Sequence, residues 1–280
     1  MSIVTFWNAM KKENGQTLSA IAIATYMAME HNFKTLLIDT TFNDATTERA
    51  FWKKKKDSNM FSELTSGKMD ISSGAEGLLS AVASNKATPE IVVNYTRIVF
   101  KDRLDVLLGL RTTNINEYEN SMGLYRDLIM TAGKYYDLVL VDLPKGNGNS
   151  AIDSILKLSN MILYTMPPNL VNIDNYKELR MNNSIVSSLK TVPLLAKSDE
   201  TSSYNVRNTT RYIKEKTQIP TIPYSVRFME AVNESNTTKF MTNTKLSKSA
   251  LANNEEFFVA LDGSCNFILN KLKELSKTQK

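Results

Sequence analysis

The sequence has little of the side-chain chemistry on which many enzymes depend. It contains one cysteine, Cys265, and one histidine, His31, among 280 residues. A single cysteine excludes an intramolecular disulfide framework and a cysteine-rich metal site. A single histidine argues against a Ser-His-Asp triad and against a metal site made of several histidines. Any chemistry must therefore be carried by carboxylates, lysines, hydroxyls and backbone amides.

Long apolar runs are also missing. No stretch of 18 apolar residues occurs, so no membrane-spanning helix and no stable membrane insertion are predicted. The first residues are not a basic segment followed by a long apolar one, so no secretory signal is predicted and we expect a cytoplasmic protein. Hydrophobic residues make up 42% and charged residues 22%, which is typical of a globular chain with a buried core. The net charge of +5 allows a polyanionic partner without requiring one.

Short apolar segments alternate with longer segments of helical periodicity. The short ones predict strands at 2–7, 35–38, 104–108, 138–141, 161–165, 192–196 and 219–223, and the longer ones predict helices at 17–30, 116–134, 150–158, 173–188 and 205–216. This alternation predicts an α/β fold, a doubly wound and mostly parallel sheet with helices on both faces. No linker rich in proline or glycine divides the chain. We therefore expect a single domain, 1–280, with an irregular insertion or switch region at 43–89 and a C-terminal helical region at 250–280.

The segment after the first predicted strand has the setting of a phosphate-binding loop. It leads into a helix of small residues, so that N–H groups at the helix start would face one concavity. Gly15 would allow close approach of the backbone, and the Thr17 hydroxyl is placed to reach a magnesium ion. The standard Walker A pattern fails, because Met10 stands at the first glycine and Gln16 at the lysine. An ordinary connection between strand and helix remains the alternative.

Five segments in sequence order resemble the ParA/MinD family of deviant Walker A ATPases, which are P-loop NTPases of the SIMIBI class. The first, KKENGQTL at 11–18, is similar to the family loop KGGxGKTT. The others are LLIDTTFN at 36–43, YDLVLVDLPKG at 136–146, MPPN at 166–169 and IPYSVRFMEA at 222–231. The second and third resemble switch I and the Walker B–switch II segment. The last resembles the family segment that lies near the adenine.

The resemblance implies a site for ATP or ADP with Mg²⁺. It assigns cofactor binding to Lys11, Lys12, Glu13, Asn14, Gly15, Gln16, Thr17, Leu18, Pro223 and Tyr224. It assigns the metal to Thr17, Asp39 and Asp142, and catalytic roles to Lys11, Asp39 and Asp142. Lys11 falls on the signature lysine, which in this family reaches across a nucleotide-sandwich homodimer to the partner's phosphates.

The departures from the family pattern concern catalysis. Gln16 replaces the lysine that contacts the β- and γ-phosphates, and Thr41 replaces the aspartate that orients the attacking water. Lys12 and Glu13 replace two glycines, and Ala196 stands where an adenine-reading asparagine is common. We hypothesise that Lys11, with Lys12, compensates for the charge lost at Gln16.

Two functional interpretations remain open. One is a nucleotide-dependent positioning protein, as in plasmid partition or chromosome segregation, acting as a dimeric switch with weak intrinsic ATP hydrolysis and an adaptor or activating partner protein. The alternative is a pseudo-ATPase scaffold that keeps the fold and does not hydrolyse ATP.

Two further features each have a functional interpretation and a purely structural one. Arg207, Arg211 and Lys214 have the spacing of one helix face, which predicts either a contact to non-specific DNA or a solvated surface. The lysine run at 53–56 has the same alternatives. The amphipathic C-terminal segment is expected to pack on the domain, and an interfacial membrane helix is the alternative.

Overall fold

The computed structural model describes residues 1–53, 74–112, 114–247, 252 and 254–278. The strands in these ranges form one eight-stranded sheet, and they are β1 Ser2–Trp7, β2 Thr35–Asp39, β3 Arg97–Phe100, β4 Leu104–Leu107, β5 Leu138–Asp142, β6 Met161–Met166, β7 Thr191–Ser198 and β8 Thr221–Pro223. Their order across the sheet is β3-β4-β2-β5-β1-β6-β7-β8. All neighbours run parallel except β3, which is antiparallel to β4. The predicted fold class is confirmed.

Helices connect these strands. In chain order they are α1 Gln16–Glu30, α2 Thr46–Phe51, α3 Ala75–Ala83, α4 Pro89–Tyr95, α5 Ile115–Ala132, α6 Ser150–Leu158, α7 Leu170–Asn182, α8 Val206–Tyr212, α9 Val226–Asn233, α10 Thr237–Leu246 and α11 Glu255–Thr278. Asparagine side chains cap the first turns of α5, α6, α7 and α8, and Ser225 caps α9.

Two apolar clusters cover the two faces of the sheet. Successive residues of a strand point to opposite faces, so in β1 the side chain of Ile3 joins one cluster and that of Val4 joins the other. The first cluster holds the buried residues of α3 to α8, and the second holds those of α1, α2 and α9 to α11. The strands are buried on both sides, which explains why they read as short continuous apolar runs in the sequence.

Helices α2, α4, α9 and α10 were not predicted, and three further differences from the sequence prediction have a visible local cause. Strand β3 was not predicted, because it is an edge strand with partly exposed residues, and Ile98 is 59% exposed. Helix α7 lies at Leu170–Asn182 and not at 173–188, since the Asn183 side chain accepts the next free N–H groups and forms a turn. Helix α8 stops at Tyr212, and Lys214 has a left-handed backbone with φ of 58°.

The two special regions of the sequence are only partly described. Region 43–89 contains α2 and α3, and three of the four lysines at 53–56 lie outside the described residues. In region 250–280, α11 packs its apolar stripe on the second cluster, and Phe257, Leu261 and Ile268 are all buried. Among the helices in the described ranges, none combines the length and the apolar character needed to cross a bilayer.

The topology identifies one edge of the sheet as the place for a ligand. Strand β1 lies between β5 and β6, and the chain winds to one side of β1 through β2 and to the other side through β6 to β8. Ligands of open α/β sheets bind at the carboxyl ends of the strands, where the strand order reverses. The loop that follows β1 lies at this position.

Candidate functional site

The loop after β1 is held against the carboxyl end of β6 by two asparagines. The side-chain amides of Asn8 and Asn14 both donate to the carbonyl of Thr165, at 2.5 and 3.2 Å. The Asn14 Oδ1 atom in turn accepts the backbone N–H of Gln16 at 3.1 Å. These buried bonds anchor the loop to the end of β6 and to the start of α1.

Gly15 is the residue at which the loop enters helix α1. Its φ is +79°, in the left-handed region that non-glycine residues rarely adopt. A Cβ atom on this residue would lie 3.1 Å from Lys197 Cγ and 3.2 Å from Ala196 Cβ. The backbone conformation therefore favours glycine here, and the space for a side chain is tight because Gly15 is buried beneath Lys197 and Ala196.

Gln16, which stands at the lysine position, turns toward β5. Its Nε2 atom donates to Asp142 Oδ1 at 2.7 Å and to the Leu143 carbonyl at 2.6 Å. Its Oε1 atom is buried and has no hydrogen-bond partner. Both N–H groups of the amide are thus used within the protein, and an acceptor oxygen is left without a donor.

Thr17 and Asp142 form the second link between α1 and β5. The Thr17 hydroxyl donates to Asp142 Oδ2 at 2.6 Å, so each carboxylate oxygen of Asp142 accepts one bond from the loop. The N–H and the hydroxyl of Thr40 both donate to the Asp142 backbone carbonyl. This network joins the first loop to the ends of β2 and β5.

Asp39 lies beside Asp142, since β2 and β5 pair in parallel and these two residues are register partners. One oxygen of Asp39 accepts the N–H and the hydroxyl of Thr41, at 2.9 and 2.6 Å. Burial raises the pKa of Asp39, and the neighbouring Asp142 raises it further. Burial also raises the pKa of Asp142, against the opposing hydrogen bonds from Thr17 and Gln16. Two adjacent buried carboxyl groups favour protonation or the binding of a cation.

A cavity of about 250 Å³ opens beside Gln16 and Thr17, and the buried Asp39 and Asp142 do not line it. We call it the loop cavity, and it is lined by Glu13, Gly15, Gln16, Thr17, Leu18, Asp44, Thr46, Lys145, Met229, Val232 and Asn233. Polar side chains from the first loop, from the start of α1 and from the segment 44–46 line this cavity together with Lys145. The described residues contain no cluster of three or more His, Cys, Asp or Glu side chains suited to a metal.

A narrower recess of about 20 Å³ lies beside the loop cavity. We call it the side cleft, and its walls are Gly15, Leu18, Ser19, Lys197, Ile222, Pro223, Tyr224, Ser225, Phe228 and Met229. Pro223 is buried, whereas Tyr224 is 52% exposed. The side cleft is thus largely apolar and contains both residues that the sequence associates with adenine.

The remaining loop residues are exposed. Lys11, Lys12 and Glu13 all lie at the surface, and the stem of Lys11 lies over Gly146 in the loop after β5. A Cβ atom on Gly146 would lie 3.2 Å from Lys11 Cε. Glu13 forms an ion pair with Lys197, whose Nζ lies 2.5 Å from Glu13 Oε1. This pair, followed by the nearby Lys145, lowers the pKa of Glu13.

The fold is similar to those of several solved structures. A ParA family ATPase from Chlorobium tepidum TLS matches with a TM-score of 0.65 at 15% identity, over 94% of this chain and 97% of that one. The cell division ATPase MinD from Pyrococcus furiosus matches with a TM-score of 0.65 at 14% identity, over 96% of this chain and 100% of that one. A putative plasmid partition protein from Borrelia burgdorferi, bound to AMPPNP, gives 0.61 at 13% identity over the whole of both chains. The chain has the ParA/MinD fold.

Comparisons that use the sequence alone find no match. No protein-family model matches the chain, and no curated protein matches it. The likeness to the ParA/MinD fold therefore rests on the structure. At such low identity the structural likeness concerns the fold, and the role of each site residue depends on its own contacts.

Within this ParA/MinD fold, most of the predicted site residues come together. Residues 11–18, Asp39, Asp142, Pro223 and Tyr224 all lie at or beside the carboxyl edge of the sheet. The sequence did not single out Asp44, Thr46 and Asn233 as lining the same cavity. The first two follow the segment that resembles switch I, which was the available signal, but Asn233 is brought in only by the packing of α9.

The predicted basic face on α8 is incomplete. Arg207 and Arg211 are exposed on this helix, but Lys214 lies beyond its end and so does not share their face. The helix ends early because Ile213 is its C-cap and Lys214 adopts positive φ. The prediction that all three residues share one helix face was therefore wrong.

Proposed function

We propose that this chain is a cytoplasmic ParA/MinD-like positioning protein that binds ATP or ADP with Mg²⁺ and has weak intrinsic hydrolysis. The observation that carries this proposal is the bond from Thr17 to Asp142 at the end of β5, at the start of a helix that follows a glycine. Thr17 also lines the loop cavity, and Asp142 is buried behind it. A hydroxyl and a neighbouring carboxylate at a helix N-terminus suit a metal-bound phosphate.

The donor set suits Mg²⁺. Thr17, Asp39 and Asp142 supply oxygen ligands, which this cation prefers, and it commonly takes only one or two protein carboxylates. Because the two aspartates are buried next to each other, a divalent cation would stabilise their charged forms. The unpartnered Gln16 Oε1 is an acceptor, so it suits a water molecule on the cation and not a phosphate oxygen.

The phosphate groups would meet the backbone N–H groups at the start of α1 and the charge of Lys145. Backbone amides and the helix dipole attract anions without any lysine in the loop. The loss of the lysine at Gln16 removes a charge-assisted bond of roughly 1.5–3 kcal/mol from binding and weakens stabilisation of the transition state. We therefore expect binding to persist with reduced affinity, and hydrolysis to be slow.

The same edge of the sheet offers a surface for a homodimer. Exposed apolar side chains follow three strands there, and they are Phe42, Leu170, Val171, Tyr224 and Val226. Lys11 is exposed among them, with its stem on Gly146. A second copy that covers this rim would bury apolar surface and bring one protomer's Lys11 toward its partner's phosphates.

The test is binding of ATP and ADP, each with and without Mg²⁺, by calorimetry, with the oligomer mass measured in the same samples. We expect Mg²⁺ to strengthen ATP binding and ATP to promote dimerisation. Lys11→Ala should weaken the dimer, and Lys134→Ala serves as a control at the distant amino edge of the sheet. A Lys11→Ala variant with unchanged affinity and unchanged dimerisation would contradict the role of Lys11.

The second candidate is a pseudo-ATPase scaffold. The observation that favours it is that both Gln16 N–H groups and the Thr41 hydroxyl are bonded within the protein, to Asp142, Leu143 and Asp39. A constant dimer that is indifferent to nucleotide would support the scaffold and reject the switch. In both cases we propose an adaptor or activating partner protein.

Contact with non-specific DNA is a further part of the proposal, and it now depends on Arg207 and Arg211. Each phosphate contact contributes about one unit to the slope of log affinity against log salt. Replacing both arginines with glutamine should therefore lower the slope by about two units in a filter-binding titration. An unchanged slope assigns the two arginines to solvated surface.

A further inference from the structure

Glu13 and Lys197 form an ion pair that crosses from one recess of the site to the other. Glu13 lines the loop cavity but not the side cleft, and Lys197 lines the side cleft but not the loop cavity. Gly15, Leu18 and Met229 line both recesses. The pair therefore lies across their common boundary, above the glycine that begins helix α1.

The backbone around Lys197 explains why its side chain reaches this place. Lys197 has positive φ, at 54°, and the register of β7 against β8 shifts between Ala196 and Ser198. A strand irregularity of this kind redirects a side chain. Here the Lys197 stem lies over Gly15, with Cγ 3.1 Å and Cε 3.3 Å from the position of a Cβ atom on that glycine.

The two recesses differ in chemistry. The loop cavity, of about 250 Å³, has a helix N-terminus, hydroxyls and Lys145, which suit phosphate groups. The side cleft is lined by Ile222, Pro223, Phe228 and Met229 and bordered by Tyr224, which suit the faces of a planar base. With a volume of about 20 Å³, the side cleft is too small for a base, and the Lys197 side chain is one of its walls.

We propose that the Glu13–Lys197 pair determines the ligand class of this site: in the closed arrangement it admits a compact polyphosphate, and it must separate before the base of a nucleotide can bind. This inference rests on the proposed phosphate site. Glu13 and Lys197 are here specificity-determining residues. Separation of the pair exchanges one exposed ion pair for contacts between the base and the side cleft.

The experiment compares inorganic tripolyphosphate with ATP, both with Mg²⁺, by calorimetry on the full chain. The measured quantity is the ratio of the tripolyphosphate Kd to the ATP Kd. This ratio isolates the contribution of the nucleoside to the affinity. Glu13→Gln breaks the pair and keeps the side-chain length, and Lys197→Ala removes the stem above Gly15. We expect both variants to raise the ratio by about two- to fivefold, the range that one exposed ion pair allows.

The control is Lys145→Met, which removes the lysine of the loop cavity that does not border the side cleft. It should weaken both ligands together and leave the ratio unchanged. A ratio that stays the same in Glu13→Gln and Lys197→Ala overturns the inference, and so does a ratio that falls in Lys197→Ala, because Lys197 would then be a nucleotide ligand. If tripolyphosphate binds no variant while ATP does, the inference also fails. If neither ligand binds any variant, the proposed function fails first.

Discussion

Gln16 Nε2 lies 2.7 Å from Asp142 Oδ1, and the same nitrogen donates to the Leu143 carbonyl. The residue that replaces the phosphate-binding lysine is thus a structural link between α1 and β5. Because Thr17 donates to the other oxygen of Asp142, the loop and the strand end are joined at three points. Gln16 thus donates hydrogen bonds to the end of β5 from a neutral amide, at a position where the family pattern has the positive charge of a lysine.

Restoring that charge should restore phosphate affinity. We expect Gln16→Lys to lower the Kd of ATP with Mg²⁺ by about tenfold or more, since hydrogen bonds to charged groups contribute roughly 1.5–3 kcal/mol. Calorimetry measures the change. Gln16→Met, which removes the amide without adding charge, is the control and should give no gain. Equal affinities for the lysine and methionine variants would show that this position does not face phosphate.

The buried aspartates should make stability depend on pH. Burial raises the pKa of Asp39 to about 7, so the folded protein holds this proton more tightly than the unfolded chain does. Stability from this group is present below its unfolded pKa of about 4 and is lost as pH rises toward 7. Asp39→Asn keeps an oxygen for Thr41 and cannot ionise. We expect it to be more stable than the parent by roughly 4 kcal/mol at pH 8 and equal to it near pH 4.

Urea titrations across this pH range measure that difference. Asp127→Asn, which removes an exposed carboxylate on α5, is the matched control and should follow the parent at every pH. A stability gain of Asp39→Asn that does not grow between pH 4 and pH 8 would contradict the buried-pair interpretation.

Gly15 should tolerate no side chain. Gly15→Ala forces positive φ on a non-glycine residue and places a Cβ atom 3.1 Å from Lys197 Cγ. We expect a loss of stability of about 1–3 kcal/mol, measured by chemical denaturation. Gly123→Ala is the matched control, because that glycine lies in helix α5 with no atom within 4 Å of an added Cβ. It should stabilise the protein by up to about 1 kcal/mol. A larger loss for Gly123→Ala than for Gly15→Ala would contradict the special role of Gly15.

The C-terminal helix should behave as part of the core. Leu261 is fully buried against the second apolar cluster, so Leu261→Ala should cost about 2–5 kcal/mol. Val259, on the same helix, is 64% exposed, and Val259→Ala should change stability by no more than about 0.5 kcal/mol. Chemical denaturation measures the change in stability of both variants. A nearly neutral Leu261→Ala variant that releases α11 to lipid vesicles would favour the interfacial interpretation.

The parallel strands were predictable because each is buried on both faces and so reads as an apolar run. Strand β3 was not predictable in this way, because its residues are partly exposed at the sheet edge. Helix lengths were less predictable than strands, since α7 and α8 end through local backbone events at Asn183 and Lys214 that periodicity does not reveal.

The sequence by itself determined the order of the parallel strands, the loop after β1 and the identity of Thr17, Asp39 and Asp142 as candidates. Only the tertiary structure decided which of these groups touch. Asp39 and Asp142 are about a hundred residues apart in the chain and become neighbours because β2 and β5 pair in register. In the same way, the Gln16 amide donates to Asp142, and Glu13 pairs with Lys197, which lies 184 positions away in the chain. Periodicity records burial within one element, whereas a contact between elements depends on the packing of the whole sheet.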